Sequence, residues 1–260
     1  MSAAAIIINN IINKTKEENL NTSETLEKLS EMRLHGMKRQ YELILNTQQS
    51  SSLTIDESIA MLAESEYFDR IERRTKRYIK AAKFRYNAAV EEIDFTSSRG
   101  LDKAQLLRLA TCEFIKKRES LIITGATGAG KSYLASALGH QACVNGYKVL
   151  YFNMGKLFSK LRMLRAEELD IKEKEKIAKH ELLLLDDFGI ARLDTENRLN
   201  LLEIIEDRHG RKSTVITSQL PVSGWHDIIG DATIADAILD RLVHTSHRIE
   251  LNGESLRKKK

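Results

Sequence analysis

One segment near the middle of the chain constrains the fold more than any other: Leu121-Ile-Ile-Thr-Gly-Ala-Thr-Gly-Ala-Gly-Lys-Ser132. An apolar run leads into a loop with the spacing G-x-x-x-x-G-K-S, which predicts a buried strand, a tight loop and a helix start. Gly125, Gly128 and Gly130 let the loop turn its N–H groups toward an anion at the helix N-terminus. The segment therefore predicts a site for the phosphates of a nucleoside triphosphate, an ordinary glycine turn being the alternative.

The two residues that end this loop carry its chemistry. We expect Lys131 to reach the β- and γ-phosphates as a mobile positive charge, and the Ser132 hydroxyl to ligate Mg²⁺. ATP and Mg²⁺ are thus the predicted cofactors. The loop residues predicted to bind the nucleotide are Gly125, Ala126, Thr127, Gly128, Ala129, Gly130, Lys131 and Ser132.

A second segment supplies the acidic groups that such a site needs. In Glu181-Leu-Leu-Leu-Leu-Asp-Asp-Phe-Gly189, four leucines before two aspartates predict a strand buried on both faces. We expect Asp186 to hold the metal and Asp187 to orient or deprotonate the attacking water. A capping or salt-bridging carboxylate is the alternative for Asp187.

Length and composition limit what else the chain contains. Its 260 residues, 42% hydrophobic and 30% charged, suffice for one nucleotide-binding core and one small domain. Cys112 and Cys143 are far apart and have no metal-site spacing, so we expect both to be reduced and buried. The apolar N-terminal segment lacks a basic leader and no apolar run is long enough to span a bilayer, so we expect a cytoplasmic protein without a membrane partner.

The net charge of +4 is concentrated in one segment, where Arg70 to Arg85 holds eight basic residues against one acid, Glu72. Helical winding collects the apolar residues of this segment in one arc and all the basic residues outside it. The arc consists of Ile71, Thr75, Tyr78, Ile79, Ala82 and Tyr86. The basic face predicts contact with the backbone of double-stranded DNA, whereas a solvated face or one paired to acids is the alternative. The residues chosen for this contact are Arg70, Arg73, Arg74, Arg77 and Lys80.

The chain before residue 98 is predicted to be a small all-helical domain. Apolar residues recur on one helical side between Asn21 and Asn46, and Thr54-Ile-Asp-Glu57 has the pattern of a capping box. A polar segment over 94–100 suggests a boundary between domains 1–97 and 98–260. Leu101 to Phe114 is predicted to be helical.

Beyond the glycine loop, helices and strands alternate as in a parallel α/β sheet. Helices are predicted over 132–144 and 196–210, one or two helices over 155–181, and strands over 148–153, 182–186 and 213–217. The last strand lies beside the Asp186 strand and ends in Ser218 and Gln219, either of which could be a polar sensor of the γ-phosphate. A simple turn before Pro221 is the alternative.

Several segments together resemble the IstB family, ATP-binding helpers of insertion-sequence transposons that are related to the DnaC helicase loaders within the AAA+ class. These segments are Gly125 to Ser132, Leu182 to Gly189, Thr214 to His226, Ala235 to His244 and His247 to Arg257. The resemblance implies an α/β AAA+ core after a helical N-terminal domain. It also implies an ATP-dependent, homo-oligomerising DNA-binding protein that assists a partner transposase.

The resemblance also assigns residues. An arginine at the position of Arg241 in AAA+ proteins reaches the γ-phosphate held by a neighbouring subunit, while an ion pair with Asp240 or Asp236 is the structural alternative. Arg257 could be a second phosphate sensor. The second acid of AAA+ proteins is more often Glu, so the shorter Asp187 predicts slow, regulatory hydrolysis. The predicted catalytic residues are Asp187, Lys131 and Arg241.

Three functions compete at this point. A transposition helper and a DnaC-like replicative helicase loader share the core, and differ in whether the helical domain contacts DNA or grips a helicase. A small-molecule kinase with the same loop would need a lid and an acceptor pocket. The basic face favours the transposition helper.

Overall fold

The computed structural model describes residues 21–47, 52–95 and 100–253. They fall into two compact units that divide between Arg74 and Thr75. The division lies inside a single helix, Ile55–Ala82. The predicted domain boundary after residue 97 falls on residues 96–99, outside the described residues, and stays a prediction.

The first unit is helical, as predicted. Its helices are α1 over residues 21–31, α2 over His35–Asn46 and the first part of α3, which runs from Ile55 to Ala82. The Thr54 amide donates to Glu57 Oε2 (2.7 Å) and the Glu57 amide donates to Thr54 Oγ1 (3.2 Å), so the predicted capping box is confirmed. It fixes where α3 begins.

The basic segment is amphipathic, but its helix is shorter than predicted. The apolar arc of α3 is buried or half-buried through Ala82, while Arg73, Lys76 and Arg77 are exposed. Lys83 then adopts a left-handed φ of 57°, which ends the helix. The predicted placement of Tyr86 on the same helical face is therefore wrong.

The second unit is a three-layer α/β fold around a five-stranded sheet. The strands are β1 Ser120–Gly125, β2 Val149–Asn153, β3 Leu182–Phe188, β4 Ser213–Ser218 and β5 Ser246–Leu251. The sheet order is β2-β3-β4-β1-β5, with all neighbours parallel. The carboxyl ends of β1, β3 and β4 consequently meet at one edge.

Helices cover both faces of this sheet. They are α4 Lys103–Ala110, α5 Glu113–Lys116, α6 Lys131–Val144, α7 Met154–Ala166, α8 Asp170–Lys179, α9 Thr195–Arg208, α10 Trp225–Ile229 and α11 Ala232–Val243. Short 3-10 turns cover Val90–Glu92 and Val222–Gly224.

The leucines of β3 show how the sheet divides the core. Leu182 and Leu184 pack with α4 and α6 on one face, whereas Leu183 and Leu185 pack with α7, α8, α9 and α11 on the other. A strand buried on both faces is what four consecutive leucines predict. The predicted neighbour relation between this strand and β4 is also confirmed.

Three features outside the sheet centre differ in how well the sequence predicted them. Leu101 to Phe114 is not one helix, because Cys112 has a left-handed φ of 61° and separates α4 from α5. The sequence pattern did not predict β5. Cys112 and Cys143 are free and buried, as predicted, and burial raises the pKa of their thiols to about 11 and about 12.

Among the residues that the structure describes, we find no helix with the length and apolarity needed to cross a bilayer.

Candidate nucleotide-binding site

The glycine loop connects the carboxyl end of β1 to the start of α6. Gly128 and Gly130 have left-handed φ values of 83° and 96°, which glycine adopts without strain. Gly125 has a φ of 146°, and a Cβ there would lie 2.2 Å from the Leu251 carbonyl oxygen of β5. Glycine is therefore required at the start of the loop by the sheet itself.

Lys131 is buried at the base of the loop. Its Nζ donates to the carbonyl oxygens of Gly125 (2.7 Å) and Ala126 (2.9 Å), and the residue is 6% exposed. The Ala129 amide donates to the same Ala126 oxygen (3.2 Å), which closes the turn. The ammonium thus lies under the backbone that is predicted to surround the phosphates.

Asp186 ends β3 opposite the loop and is fully buried. Its Oδ1 accepts hydrogen bonds from Ser132 Oγ (2.8 Å) and from the Thr217 hydroxyl. Its Oδ2 accepts from Tyr151 Oη (2.6 Å), and Arg85 Nη1 is 3.4 Å away. The structure therefore brings together the two residues predicted to hold the metal.

Asp187 differs from Asp186 in backbone and in surroundings. It has a left-handed φ of 65° at a register shift between β3 and β4, and its amide donates to Thr217 Oγ1 (3.1 Å). Its Oδ2 accepts from Asn153 Nδ2 and Arg85 Nη1, both at 2.9 Å. The carboxylate is half-buried and lines the cavity next to the loop.

That cavity has a volume of about 520 Å³, which is in the range of ligand sites. Its lining joins the loop to one acid and to two tyrosines, and consists of Arg85, Tyr86, Thr127, Gly128, Gly130, Lys131, Ser132, Tyr133, Asp187, Ile190 and Gln219. A neighbouring pocket of about 190 Å³ shares Gly130 and Tyr133 with it. This second pocket is mostly apolar, lined by Ile93, Leu101, Leu134 and Leu251 among others.

The two candidates for a polar sensor, Ser218 and Gln219, lie in different environments. Ser218 is buried, and its Oγ donates to the Phe188 carbonyl (2.9 Å) and accepts from the Leu220 amide (3.1 Å). Gln219 is exposed, lines the cavity and accepts a hydrogen bond from Thr127 Oγ1 (2.8 Å). Only Gln219 of this pair is brought to the loop.

Sequence reasoning missed four residues of the acid cluster: Thr217, Tyr151, Asn153 and Arg85. Asn153 ends β2, Thr217 is the last residue but one of β4, and Tyr151 lies two residues before the end of β2. These two strands flank β3, and ligand-binding side chains collect at the carboxyl edge of a parallel sheet. Because side chains alternate along a strand, Thr217 and Gln219 share a side that Ser218 does not, so this pattern could have identified Thr217. Arg85 was hidden in the basic run assigned to one helical face.

Electrostatics keep the donors around Asp186 in their donating forms. Burial raises the pKa of the Tyr151 hydroxyl, and its hydrogen bond to Asp186 raises that pKa further, so Tyr151 remains protonated. Burial lowers the pKa of Arg85, but Tyr86, Asp187 and Asp186 together raise it above its ordinary value. Arg85 is a permanent cation beside the two acids.

The oxygen donors of this cluster fit Mg²⁺. A hydroxyl and a carboxylate, Ser132 Oγ and Asp186, lie within hydrogen-bonding distance at the mouth of a phosphate loop, and hard oxygen donors are what this ion prefers. Among the described residues, no group of three or more His, Cys, Asp or Glu side chains could form a metal site. An all-protein metal cage is not needed, because Mg²⁺ in such sites is held by one or two protein groups and by phosphates.

Arg241 lies at the opposite edge of the sheet from the loop. It lines a cleft with Ser120, the first residue of β1, whereas the loop follows the last residue of that strand. The two ends of such a strand are about 16 Å apart. Its Nη2 pairs with Glu206 of α9 (2.8 Å), and Asp240 and Asp236 pair instead with His244 and His226. The predicted alternative of an ion pair with Asp240 or Asp236 is therefore wrong in its partner.

The predicted DNA-binding residues are distributed along α3 in two different environments. Arg70 pairs with Glu66 (2.8 Å), and Arg73 pairs with Asp69 (2.5 Å). Arg77 is exposed and its guanidinium lies 5.7 Å from the Tyr78 ring centroid, Lys80 is exposed, and Arg74 is half-buried. Acids just before the basic run thus hold part of the predicted face. Arg257 lies outside the described residues.

The family model described as IstB-like ATP binding protein matches residues 27–260. The chain belongs to this family. It is 44% identical to the insertion sequence ATP-binding protein y4pL of Sinorhizobium fredii over 234 residues, which cover 90% of this chain and 96% of the relative. The resemblance predicted from the motifs is confirmed.

Solved structures support the fold of this IstB-like protein. A crystal structure of DnaI has 20% identity and a TM-score of 0.57 over 68% of this chain and 94% of that one. A crystal structure of the DnaC helicase loader has 22% identity and a TM-score of 0.55 over 68% and 99% of the two chains. At such identities the likeness supports the predicted α/β fold with its parallel sheet and establishes nothing about function.

Proposed function

We propose that this IstB-like protein is an ATPase that assembles on duplex DNA in its ATP-bound state and then recruits or stimulates a partner transposase. The observation that carries the proposal is the contact of Ser132 Oγ with the buried Asp186, at the mouth of the glycine loop. The name of its relative, an insertion sequence ATP-binding protein, adds the context of transposition.

The nucleotide would bind along the carboxyl edge of the sheet. The loop amides and Lys131 would hold the phosphates, and the ammonium could exchange its contacts with the Gly125 and Ala126 carbonyls for phosphate oxygens. The apolar pocket beside Tyr133 has the character suited to an aromatic base. Ser132 and Asp186 would hold Mg²⁺, which when bound neutralises charge on the phosphate oxygens.

Hydrolysis would be slow because of how Asp187 is held. Its carboxylate faces the cavity, where it could orient or deprotonate a water, and Gln219, which lines the same cavity, would contact that water or the γ-phosphate. The contacts from Arg85 Nη1 and Asn153 Nδ2 occupy its Oδ2, which leaves fewer lone pairs of this carboxylate to accept a proton from the water. A slowly hydrolysed nucleotide suits a switch that keeps an assembly in place for a limited time.

Assembly would complete each site. The position of Arg241, at the far end of β1 from its own loop, is incompatible with a phosphate on that loop and compatible with one on a neighbouring subunit. An arginine supplied across an interface makes hydrolysis depend on oligomerisation. The exposed basic residues of α3, Arg77 and Lys80 among them, would then contact the DNA backbone.

The test is duplex DNA binding measured with ATP, with ADP and without nucleotide. We expect tight binding only with ATP, and its loss in Lys131→Ala, because the phosphate clamp is removed. Lys156→Ala, which removes an exposed lysine from α7, is the matched control and should bind as the natural chain does. Tight DNA binding without nucleotide would contradict a switch driven by ATP.

A helicase-loader role has less support. Its basis is the likeness to DnaC and DnaI, which extends to the fold alone. Stimulation of a transposase encoded beside the gene, without an effect on a replicative helicase, would separate the two functions.

A further inference from the structure

Arg85 is the one arginine among the residues that line the cavity, and it is contributed by the segment after α3 and not by a sheet strand. Its Nη1 lies 2.9 Å from Asp187 Oδ2 and 3.4 Å from Asp186 Oδ2. The same cavity wall includes Lys131, Ser132 and Thr127 of the glycine loop. Arg85 is therefore a cation placed between the acid pair and the space next to the loop.

Two aromatic neighbours fix the position of this arginine. Phe84 packs against Gly139 of α6 so closely that a Cβ on Gly139 would lie 2.6 Å from the Phe84 ring. Tyr86 packs on Tyr133, also of α6, with ring centroids 6.1 Å apart, and the Arg85 guanidinium carbon lies 5.5 Å from the Tyr86 ring centroid. With both neighbours anchored on the helix that follows the loop, the guanidinium has a defined place over the site.

The chemistry of the guanidinium suits a second partner in the cavity. Its five N–H donors form a planar fork, and both carboxylate contacts are made by a single nitrogen, Nη1. A terminal phosphate group is a strong acceptor for such a fork. It also carries more negative charge than a carboxylate that already accepts hydrogen bonds from other donors. Of the phosphates in ATP, the terminal one is the group nearest the acids that are predicted to act on it.

We propose that Arg85 contacts the terminal phosphate and thereby distinguishes ATP from ADP at this site. The inference rests on the proposed function, since it presupposes that the loop binds the nucleotide. Arg85 lies three residues beyond the end of α3, so a change in its partner is transmitted over a short segment to the basic helix. The terminal phosphate then controls the DNA-contacting element through this side chain as well as through subunit assembly.

The experiment compares dissociation constants for ADP and for a non-hydrolysable ATP analogue, both with Mg²⁺, by equilibrium titration of fluorescent nucleotides. In Arg85→Ala we expect the preference for the ATP analogue over ADP to fall about tenfold, as for the removal of one charged hydrogen bond, with ADP affinity retained. Lys83→Ala, which removes an exposed cation two residues away, should keep the preference unchanged. Hydrogen exchange of residues 75–86 should respond to the ATP analogue in the natural chain and not in Arg85→Ala.

Specific outcomes overturn the inference. An unchanged preference in Arg85→Ala, or equally tighter binding of both nucleotides, would make Arg85 a counter-ion of the acids and nothing more. Arg85→Gln provides a second variant should the alanine variant fail to bind ADP, and the same loss of preference is expected in it. If the natural chain binds neither nucleotide, the proposed function fails. If Lys131→Ala abolishes binding while Arg85→Ala keeps the preference, only this inference fails.

Discussion

Two clusters of carboxylates and arginines in this protein look alike in composition and differ in what their carboxylates face. In the first unit, Glu66 and Asp69 of α3 are held by Arg39, Arg70 and Arg73. In the second unit, Asp186 and Asp187 are held by Arg85. Both clusters place acids that are largely buried next to arginines that are substantially exposed.

The cluster of α3 is directed at the protein's own backbone. Glu66 Oε2 accepts hydrogen bonds from the amides of Gly36 (2.9 Å) and Met37 (3.4 Å) at the start of α2, whose first-turn amides have no partner within the helix. Hydrogen bonding to Arg39 and Arg73 lowers the pKa of Asp69, although burial opposes the shift. This cluster joins two helices.

The cluster of β3 is directed at a cavity. Its neighbours are hydroxyls and an amide that hydrogen-bond to the acids, and the phosphate loop lies across from it. An arginine–carboxylate contact therefore does not by itself identify a functional site. A site is identified by donors and acceptors that converge on a space large enough for a ligand.

The largest expected effect concerns a third arginine–carboxylate contact, that of Arg241 with Glu206. It decides whether this contact is structural, like the cluster of α3, or functional, like the cluster of β3. If Arg241 serves a neighbouring site, Arg241→Ala should lower ATP hydrolysis about 10³-fold and leave ATP affinity within about twofold. Phosphate release and nucleotide titration measure these quantities, and sedimentation measures assembly. Glu206→Ala removes only the partner and should change hydrolysis little. Equal, small losses in both variants would place the pair with the structural cluster.

A pair of matched substitutions tests the difference between the two clusters directly. Asp186→Asn should lower hydrolysis about 100-fold, because the charge proposed to hold Mg²⁺ is removed, and should also lower the free energy of unfolding by about 2 kcal/mol, because Asp186 is a buried charged acceptor. Glu66→Gln should leave hydrolysis unchanged and lower the free energy of unfolding by about 2 kcal/mol, because a buried charged acceptor is removed. Calorimetry and phosphate release on both variants provide the measurement. A large loss of hydrolysis in Glu66→Gln would contradict the assignment of the α3 cluster to structure alone.

The smallest effect sharpens the comparison within α3. Arg70 and Arg73 are already paired with acids, whereas Arg77 and Lys80 are exposed. The double variant Arg77→Gln with Lys80→Gln should therefore reduce the salt dependence of DNA binding by about 2 in slope, because each cation that neutralises a phosphate accounts for about 1. Arg70→Gln with Arg73→Gln should reduce it less. Titrations at several salt concentrations give the slopes, and an unchanged slope in both would move the DNA-binding surface elsewhere.

How much of this could be predicted depended on the range of the interactions involved. The glycine loop, Ser132 and Asp186 were predicted because local patterns encode them: glycine spacing, an apolar strand before each motif, and an acid at its end. The end of α3 at Ala82 was not, because it follows from contacts of Phe84 and Tyr86 with α6, far away in sequence. The placement of Arg85 on the acids depends on that helix end.

Strand β5 shows a second reason for failure. Its residues alternate between buried and exposed over a short edge strand, with Ile249 and Leu251 buried and Arg248 and Glu250 exposed. So short an alternation next to a polar sequence is a weak signal for a strand. The strand forms by pairing with β1, which is more than 120 residues earlier in the chain, so local sequence does not encode it. The pairing partner of Arg241, Glu206, likewise could not be predicted, because α9 and α11 meet only in the folded unit.

The fit of Gly125 against the Leu251 carbonyl has a consequence for how genes of this kind decay. If Lys131 binds the phosphates as proposed, a copy released from selection for nucleotide binding could lose this lysine and still fold. Gly125 is also needed for the pairing of β5 with β1, because a side chain there would collide with the Leu251 carbonyl. A copy that still forms the sheet would therefore keep this glycine. A relative that has lost nucleotide binding but still folds should therefore have substitutions in the glycine loop, at Lys131 for example, and should retain Gly125.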